Sequence, residues 1–298
     1  MNICIYGGTG LLGSHLAVAL TERGHHVTLV ARNPRAVPAL AQLPRVRLEQ
    51  GDIADEVRCA HLLPGHDVCI STVLDYGQGA RLMLDKDVRP NVALGELAAE
   101  CGVGQYLFTS STAAVGDFRH SMDEEFLSLP IDYYCAGQRA IELFLLALSH
   151  KYPMRVNIIR PGYFFGLPAV PGGRVHDGTV VESIVAAAKA NKPVEVMERM
   201  GTQYLDVADL ARVFVAVMES DARGEIFFAL GKPWIDNRRI AEAAIARCGS
   251  SSPIITIPNP DPGPPKLFTL TKIRERFGFE FDSWPMMEAW IDWLIANR

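Results

Sequence analysis

The sequence predicts an α/β protein with a doubly wound parallel sheet, and three observations support this prediction. An apolar run at residues 3–6 leads into a glycine-rich stretch at 7–13, and a helical pattern follows directly. Strand-like and helix-like segments then alternate up to residue 162, as expected of parallel strands joined by crossover helices. The chain has 298 residues and 49% hydrophobic composition, which is enough for a large buried core. We therefore expect a Rossmann-type fold.

The glycine stretch predicts a dinucleotide-binding turn. A pyrophosphate must lie against backbone N–H groups and the positive end of a helix, and a Cβ on the turn would hold it away. Gly7, Gly10 and Gly13 have the required spacing between a strand and a helix. An ordinary β–α turn is the alternative interpretation. The residues expected to contact the cofactor here are Gly7, Thr9, Gly10, Leu11, Leu12 and Gly13.

The end of the second strand, expected at 27–31, indicates which dinucleotide is bound. An acidic residue at this position would bind the ribose 2′-hydroxyl of NAD. The chain instead has Ala31 followed by Arg32, with Arg35 close by. Because a guanidinium forms charge-assisted, bidentate bonds with phosphate, Arg32 favours NADP over NAD. A solvated surface arginine is the alternative.

The next two strands also end in candidate cofactor residues. After the strand at 46–49, Asp52 could accept a hydrogen bond from the adenine amino group and Ile53 could cover the ring. Asp52 could equally be the N-cap of a helix from Ala54. The strand at 67–72 ends in Ser71 and Thr72. We expect the segment that follows, at 73–87, to form a loop over the cofactor.

The remaining elements extend this alternation and add a second region. We expect helices at 88–101, 133–150, 180–191, 205–220, 237–248 and 285–296, strands at 106–110, 155–159 and 226–230, and a proline-rich connection at 253–265. Prolines and glycines become frequent after Gly162, which is typical of binding loops. We therefore divide the chain into a nucleotide-binding domain at 1–162, to which 202–231 returns, and a smaller α/β substrate-binding region at 163–201 and 232–298.

Composition excludes several functional classes. The net charge is −5 and the pI is near 5.9, so no electrostatic footprint for nucleic acid is present. The six cysteines have no CxxC spacing, which argues against a zinc or redox motif. Charged residues interrupt the apolar helices, and no signal peptide precedes the first strand. We expect a cytoplasmic protein without a metal ion, a membrane segment or a nucleic-acid partner.

Taken together, these features resemble the extended short-chain dehydrogenase/reductase family, the NAD(P)-dependent epimerase/dehydratase group, with some atypical positions. The resemblance covers nearly the whole chain. It rests on the glycine spacing, Gly51-Asp52, Asn91-Val92 with Gly95, Thr109-Ser110-Ser111, Tyr134, Arg160-Pro161, the segment 207–211 and the carboxyl-terminal Leu270, Lys272 and 277–279. It implies further cofactor contacts from Ser71, Thr72, Asn91, Thr109, Tyr134 and Pro161.

The resemblance also implies the catalytic residues. Ser111 matches the residue that polarises the substrate oxygen, and Tyr134 matches the residue that exchanges a proton with it. The family places a lysine four residues after the tyrosine, where this chain has Gln138. Gln138 shares a helix face with Tyr134 and can reach a ribose hydroxyl. A neutral amide does not lower the pKa of a neighbouring acid as a cation does, so Tyr134 is expected to be a weak base.

Three functional hypotheses follow from this departure. The first is an NADP-dependent oxidoreductase or epimerase-like enzyme that acts on a carbonyl or hydroxyl group of a small molecule. The second is a non-catalytic NADP-binding sensor or scaffold. The third is a non-redox enzyme on the same fold, with acid–base groups from the loops: Asp75, Tyr76, His120, Tyr163 and His176. The resemblance further implies a homodimer formed through the helices at 88–101 and 133–150.

Overall fold

The structure is a computed structural model and describes residues 1–75, 79–119, 121–261 and 263–298. The strands are β1 (Asn2–Tyr6), β2 (His26–Ala31), β3 (Val46–Gln50), β4 (Val68–Ser71), β5 (Gln105–Thr109), β6 (Ser121–Met122), β7 (Arg155–Pro161), β8 (Phe164–Phe165), β9 (Val194–Met197), β10 (Gly201–Thr202), β11 (Leu205–Asp206), β12 (Glu225–Ala229), β13 (Ile235–Asp236), β14 (Ile254–Ile257) and β15 (Leu267–Phe268). The α-helices are α1 (Leu11–Glu22), α2 (Glu56–Leu62), α3 (Ala80–Met83), α4 (Arg89–Glu100), α5 (Tyr133–Lys151), α6 (Val180–Lys189), α7 (Val207–Glu219), α8 (Asn237–Cys248), α9 (Thr271–Phe277) and α10 (Trp284–Asn297).

A seven-stranded parallel sheet forms the centre of the fold, in the order β12-β7-β5-β4-β1-β2-β3. The chain moves outward from β1 to β3, then crosses back and continues from β4 on the other side of β1. This reversal leaves a crevice at the carboxyl ends of β1 and β4, where ligands of such sheets bind. The predicted α/β, Rossmann-type fold is confirmed.

Helices cover both faces of this sheet because successive strand residues point to opposite sides. Along β1, Ile3 and Ile5 belong to one apolar cluster together with residues of α1 and α7. Cys4 and Tyr6 belong to the other cluster, together with residues of α4 and α5. All four side chains are fully buried. The crevice is therefore built on a sheet that is packed on both sides.

Several expected boundaries were wrong. The segment 73–87 is not one loop, because α3 begins at Ala80 and is continued by a π-helical turn, Leu84–Val88, into α4. The strand expected at 155–159 extends through Pro161. The strand β14 lies within the proline-rich connection and pairs with β9; Pro262 lies outside the described residues.

The carboxyl-terminal part of the chain has an apolar cluster of its own, drawn mainly from α6, α8 and α10. Within α10, the rings of Trp290 and Trp293 stack with centroids 5.0 Å apart. The strand β12 joins the central sheet beside β7, and α7 packs against α1. The division into two domains stays a prediction, as does the homodimer. Among the described residues, no helix is long and apolar enough to span a membrane.

Candidate cofactor and active site

The glycine turn between β1 and α1 lies at the crevice and is tightly folded. The amides of Gly7 and Gly8 both donate to the carbonyl of Val30, at 3.0 and 3.1 Å, and the Gly10 amide donates to Gly7 O. Gly7 has a φ of +82°, and a Cβ there would clash with Thr72 Oγ1. A Cβ at Gly13 would clash with Gly7 O and lie 2.8 Å from Gly8 Cα. The turn therefore requires glycine at these positions for its own packing.

The first turn of α1 is suited to an anion. Its N-cap is Gly10, which has no side chain to accept from the exposed helix amides, and no acidic residue occupies the first turn. Leu11 and Leu12 turn their side chains into the core. Free amide donors and the helix dipole favour negative charge at this end. This glycine-lined cradle fits a dinucleotide diphosphate.

The end of β4 adjoins the turn, and the end of β5 lies on the far side of β4. The Thr72 hydroxyl donates to Tyr6 O at 3.0 Å, which ties β4 to β1 beside Gly7. Ser71 and Asn91 are buried and bond each other, because Ser71 Oγ donates to Asn91 Oδ1 at 3.0 Å. Thr109 Oγ1 is buried and has no hydrogen-bond partner among the described residues. Direct cofactor contacts from these side chains stay a prediction.

A groove of about 500 Å³ lies at the carboxyl ends of β2 and β3. Arg32 and Asp52, which follow these two neighbouring strands, line it together with Gln50, Gly51, Asp55 and Arg58. Arg58 is held by Glu49 and by the carbonyl of Gln50. The exposed Arg32 side chain forms no ion pair within the described part of the chain. Arg32 is therefore the guanidinium available to a phosphate here.

The alternative role of Asp52, as the N-cap of a helix from Ala54, was wrong. The helix α2 begins at Glu56, and its N-cap is Asp55, whose side chain accepts from the Arg58 amide. Asp52 Oδ1 instead accepts from the Ala54 amide at 3.0 Å, which closes a short turn before the helix. Ile53 is buried in the core cluster beneath. Asp52 thus remains at the groove, where its bond to adenine stays a prediction.

Tyr134 lies at the start of α5, the helix that packs against the turn following Ser111. Asp132 caps this helix by accepting from the Cys135 amide at 2.7 Å, a bond that lowers the pKa of the Asp132 carboxyl. Tyr134 therefore lies in the first helical turn and is half-buried. The helix packs against the turn Thr112–Val115, and Ser111 begins that turn by accepting from the Ala113 amide. The two predicted catalytic hydroxyls thus belong to elements in contact.

Gln138 follows one helical turn after Tyr134 and is bound to a buried carboxylate. Its Nε2 donates to Asp87 Oδ2 at 2.8 Å, and the two residues are 1% and 0% exposed. Gly137 permits this contact, since a Cβ there would press on Met83 in the preceding segment. Asp87 Oδ1 accepts from the Asp75 amide and from Asn91 Nδ2. Asp87 was not among the residues predicted for the site, although its position one helical turn before Asn91 is visible in the sequence.

The buried Asp87 makes stability depend on pH. Burial raises the pKa of this carboxyl to about 6, and the charge of Asp75 adds to the effect. An aspartate in an unfolded chain has a pKa of about 3.9. The folded chain thus holds the proton more tightly, so this contribution is present below the unfolded value and is lost as pH rises through the folded one.

We expect Asp87→Asn to change the free energy of unfolding more favourably at pH 8 than at pH 5. The ionised carboxylate costs about 3 kcal/mol at high pH, and asparagine does not ionise. Urea unfolding of both chains at the two pH values measures the change, with the exposed Asp85→Asn as the control. An equal difference in unfolding free energy at pH 5 and pH 8 would contradict the assignment.

A second buried charge cluster holds α5 to β7. Arg160 forms a two-bond ion pair with Glu142, with Nε–Oε1 and Nη2–Oε2 distances of 2.7 and 2.6 Å. Ser110 and Arg139 also donate to the Glu142 carboxylate. The strand predicted from the sequence ended at residue 159, before Arg160. A charged residue that continues an apolar strand is a signal for such a partner.

The loop candidates for other chemistry have different surroundings in the structure. Asp75 and Tyr163 are exposed, and His176 packs edge-on against Phe164 with centroids 4.8 Å apart. Burial lowers the pKa of His176. Tyr76 and His120 lie outside the described residues. Among the residues described, no cluster of metal-ligating side chains is found.

Comparison with known proteins identifies the family. A sequence profile of the NAD dependent epimerase/dehydratase family matches residues 3–229. The chain belongs to this family. The resemblance to extended short-chain dehydrogenases/reductases inferred from the motifs is thereby confirmed. The family and the cradle at Gly7–Gly13 both support a nicotinamide dinucleotide as the cofactor.

Relatives of this chain have diverse activities. It is 26% identical to the 3 beta-hydroxysteroid dehydrogenase/Delta 5-->4-isomerase of Mycobacterium tuberculosis, over 93% of this chain and 77% of the relative. It is 24% identical to the dTDP-glucose 4,6-dehydratase of an Actinoplanes species, over 100% and 99% of the two chains. The UDP-glucuronic acid 4-epimerase of Bacillus cereus, solved with UDP-glucuronic acid and NAD, superposes with a TM-score of 0.85 at 19% identity over the full length of both chains. This last likeness shows the shared fold.

Proposed function

We propose that this protein is an NADP-dependent oxidoreductase or epimerase-like enzyme that acts on a carbonyl or hydroxyl group of a small molecule. The observation that supports this proposal most is the uncapped, glycine-lined start of α1 at the crevice between β1 and β4. Ser111 follows β5, the strand beside β4. Tyr134 belongs to the helix that packs against the turn after Ser111. A dinucleotide bound over Gly10 would extend toward this pair.

Some residues of the site bind the cofactor, and others bind the substrate and transfer a proton. The amides at the start of α1 bind the diphosphate, and Arg32 binds the ribose 2′-phosphate. The nicotinamide ring supplies or accepts the hydride when the cofactor is bound. Ser111 and Tyr134 hold the substrate oxygen through their hydroxyls, and Tyr134 donates a proton to it during reduction. Gln138 is neutral, so no positive charge at that position assists deprotonation of the tyrosine.

The choice of NADP rests on Arg32. Neighbours of the same fold were solved with NAD, but their identity to this chain is 18–19%. Here the groove at the ends of β2 and β3 carries an arginine that has no ionic partner in the described part of the chain. A guanidinium binds a phosphate strongly, whereas a ribose diol can be bound without one.

Replacing Arg32 with alanine is expected to weaken NADP(H) binding by about 10–100-fold, the equivalent of one or two hydrogen bonds to a charged group. NAD(H) affinity should stay within about twofold, because that cofactor has no phosphate for the arginine to bind. Titration of nicotinamide fluorescence measures both, with Arg35→Ala as the matched control. Equal binding of NADH and NADPH by the wild-type chain would contradict the choice of NADP.

Tyr134→Phe is expected to lower the turnover of any carbonyl substrate found with NADPH by about 10²–10⁴-fold, since it removes the proton donor. The adjacent Tyr133 is exposed on the same helix, so Tyr133→Phe is the control and should retain activity. Steady-state oxidation of NADPH measures both variants. Full activity in Tyr134→Phe would overturn the catalytic assignment.

A non-catalytic NADP-binding role is the second candidate. It is favoured by the neutral glutamine at position 138, whose amide is bound to Asp87. The same assays separate the two functions. Tight NADPH binding, with no turnover across a panel of carbonyl compounds and no effect of Tyr134→Phe on affinity, would support the sensor or scaffold role instead.

A further inference from the structure

The Asp87–Gln138 pair fixes the orientation of a buried amide. Because Nε2 of Gln138 donates to Asp87 Oδ2 at 2.8 Å, its carbonyl oxygen is directed to the other side of the amide. That oxygen, Oε1, is buried and has no hydrogen-bond partner among the described residues. An unsatisfied buried acceptor is costly unless a ligand supplies the donor. A ribose hydroxyl is a donor of this kind.

The carboxylate of Asp87 has no counter-charge in the described part of the chain. Its hydrogen bonds come from the Asp75 amide, Asn91 Nδ2 and Gln138 Nε2, all of which are neutral donors. The carboxyl is 0% exposed, so water and salt screen its field weakly. The field of this negative charge therefore extends to neighbouring groups on α5.

The two redox forms of a nicotinamide cofactor differ in charge at one place. The oxidised ring carries a positive charge, whereas the reduced ring is neutral, and the remainder of the molecule is the same. Under the proposed function, the nicotinamide end lies toward Tyr134, one helical turn before Gln138. A buried negative charge beside this end attracts the oxidised ring and has little effect on the reduced one.

We propose that Asp87 is a specificity-determining residue whose buried charge makes this site prefer the oxidised cofactor. The inference rests on the proposed function, because it requires a nicotinamide cofactor in the crevice. Asp87 acts through its charge and through the Gln138 amide. It is a positioning residue and has no contact of its own with the reacting atoms.

The test compares the dissociation constants of NADP⁺ and NADPH, measured by calorimetric titration at pH 8. Asp87→Asn is expected to weaken NADP⁺ relative to NADPH by about 5–20-fold, as the loss of one partly screened charge predicts. Asp87→Glu retains the charge and should retain the wild-type ratio. The exposed Asp85→Asn is the matched control and should leave the ratio unchanged within about twofold.

The possible results distinguish a failure of this inference from a failure of the proposed function. If Asp87→Asn weakens both forms equally, or neither, the inference is overturned while the function stands. If the wild-type chain binds neither form, the proposed function itself fails. A merely structural role for Asp87 would affect both forms alike, so the ratio is the informative quantity.

A second measurement on the wild-type chain applies if Asp87→Asn does not fold. Lowering the pH from 8 to 5 protonates Asp87, whose titratable neighbour is Asp75 in the loop after β4; the contacts from α4 and α5 are the neutral Asn91 and Gln138. The preference for NADP⁺ should then decline. The 2′-phosphate also titrates in this range, but both forms carry it and its effect cancels in the ratio. A ratio that is constant from pH 8 to pH 5 overturns the inference.

Discussion

Glu142→Ala is expected to lower the free energy of unfolding by about 3–5 kcal/mol, the cost of leaving a buried charge without its partner. Arg160 is 1% exposed and has both of its ion-pair bonds to Glu142, while Ser110 and Arg139 donate to the same carboxylate. Alanine would remove the acceptor for all of them. Arg160 would then remain charged in the core between α5 and β7.

Urea unfolding followed by circular dichroism measures this loss, and Glu96→Ala is the matched control. Glu96 pairs with Lys151 at the exposed end of α5, where an ion pair contributes about 0–1 kcal/mol. A loss below about 1 kcal/mol for Glu142→Ala would show that the cluster does not hold the helix to the sheet. Such a result would also weaken the placement of Tyr134, which depends on the position of α5.

Gly13→Ala is expected to reduce NADP(H) affinity by about 30–100-fold, the equivalent of losing one or two hydrogen bonds to the charged diphosphate. A Cβ at this position meets Gly7 O and lies 2.8 Å from Gly8 Cα. These contacts are with backbone atoms, so the turn itself must move. Its amides would then no longer lie where the phosphates bind.

Gly24→Ala is the control for this experiment. Gly24 has a positive φ, of +83°, unlike Gly13, and a Cβ there has nothing within 4 Å. Alanine should cost about 1 kcal/mol of stability, because the left-handed conformation disfavours a side chain. Cofactor affinity should be unchanged. Comparable loss of binding in both variants would mean that the Gly13 effect comes from stability and not from the shape of the turn.

The fold could be predicted because its signals are local. The glycine turn, the strand before it and the leucine-faced helix after it occur within the first two dozen residues, and each constrains the next. The alternation of strands and helices then leaves few topologies open. The position of Arg32 at the end of β2 follows from the same local reading, since it depends only on where that strand stops.

The buried charges could not be predicted in the same way. Asp87 and Gln138 are far apart in the chain, and they meet only because the π-helical turn at Leu84–Val88 packs against α5 beside Gly137. Glu142 and Arg160 likewise meet across a helix and a strand. Single-residue patterns give the identity of each group but not its partner. Capping residues are also difficult to predict, because they depend on where the helix begins. The N-cap of α2 is Asp55 and not Asp52.

A crystal structure of this chain grown with NADP⁺ would show where the cofactor binds. We expect the diphosphate against the amides that follow Gly10, the 2′-phosphate within hydrogen-bond distance of Arg32, and the nicotinamide ribose at Gln138 beside Tyr134. A cofactor bound elsewhere, or a turn closed to the diphosphate by side chains, would contradict it.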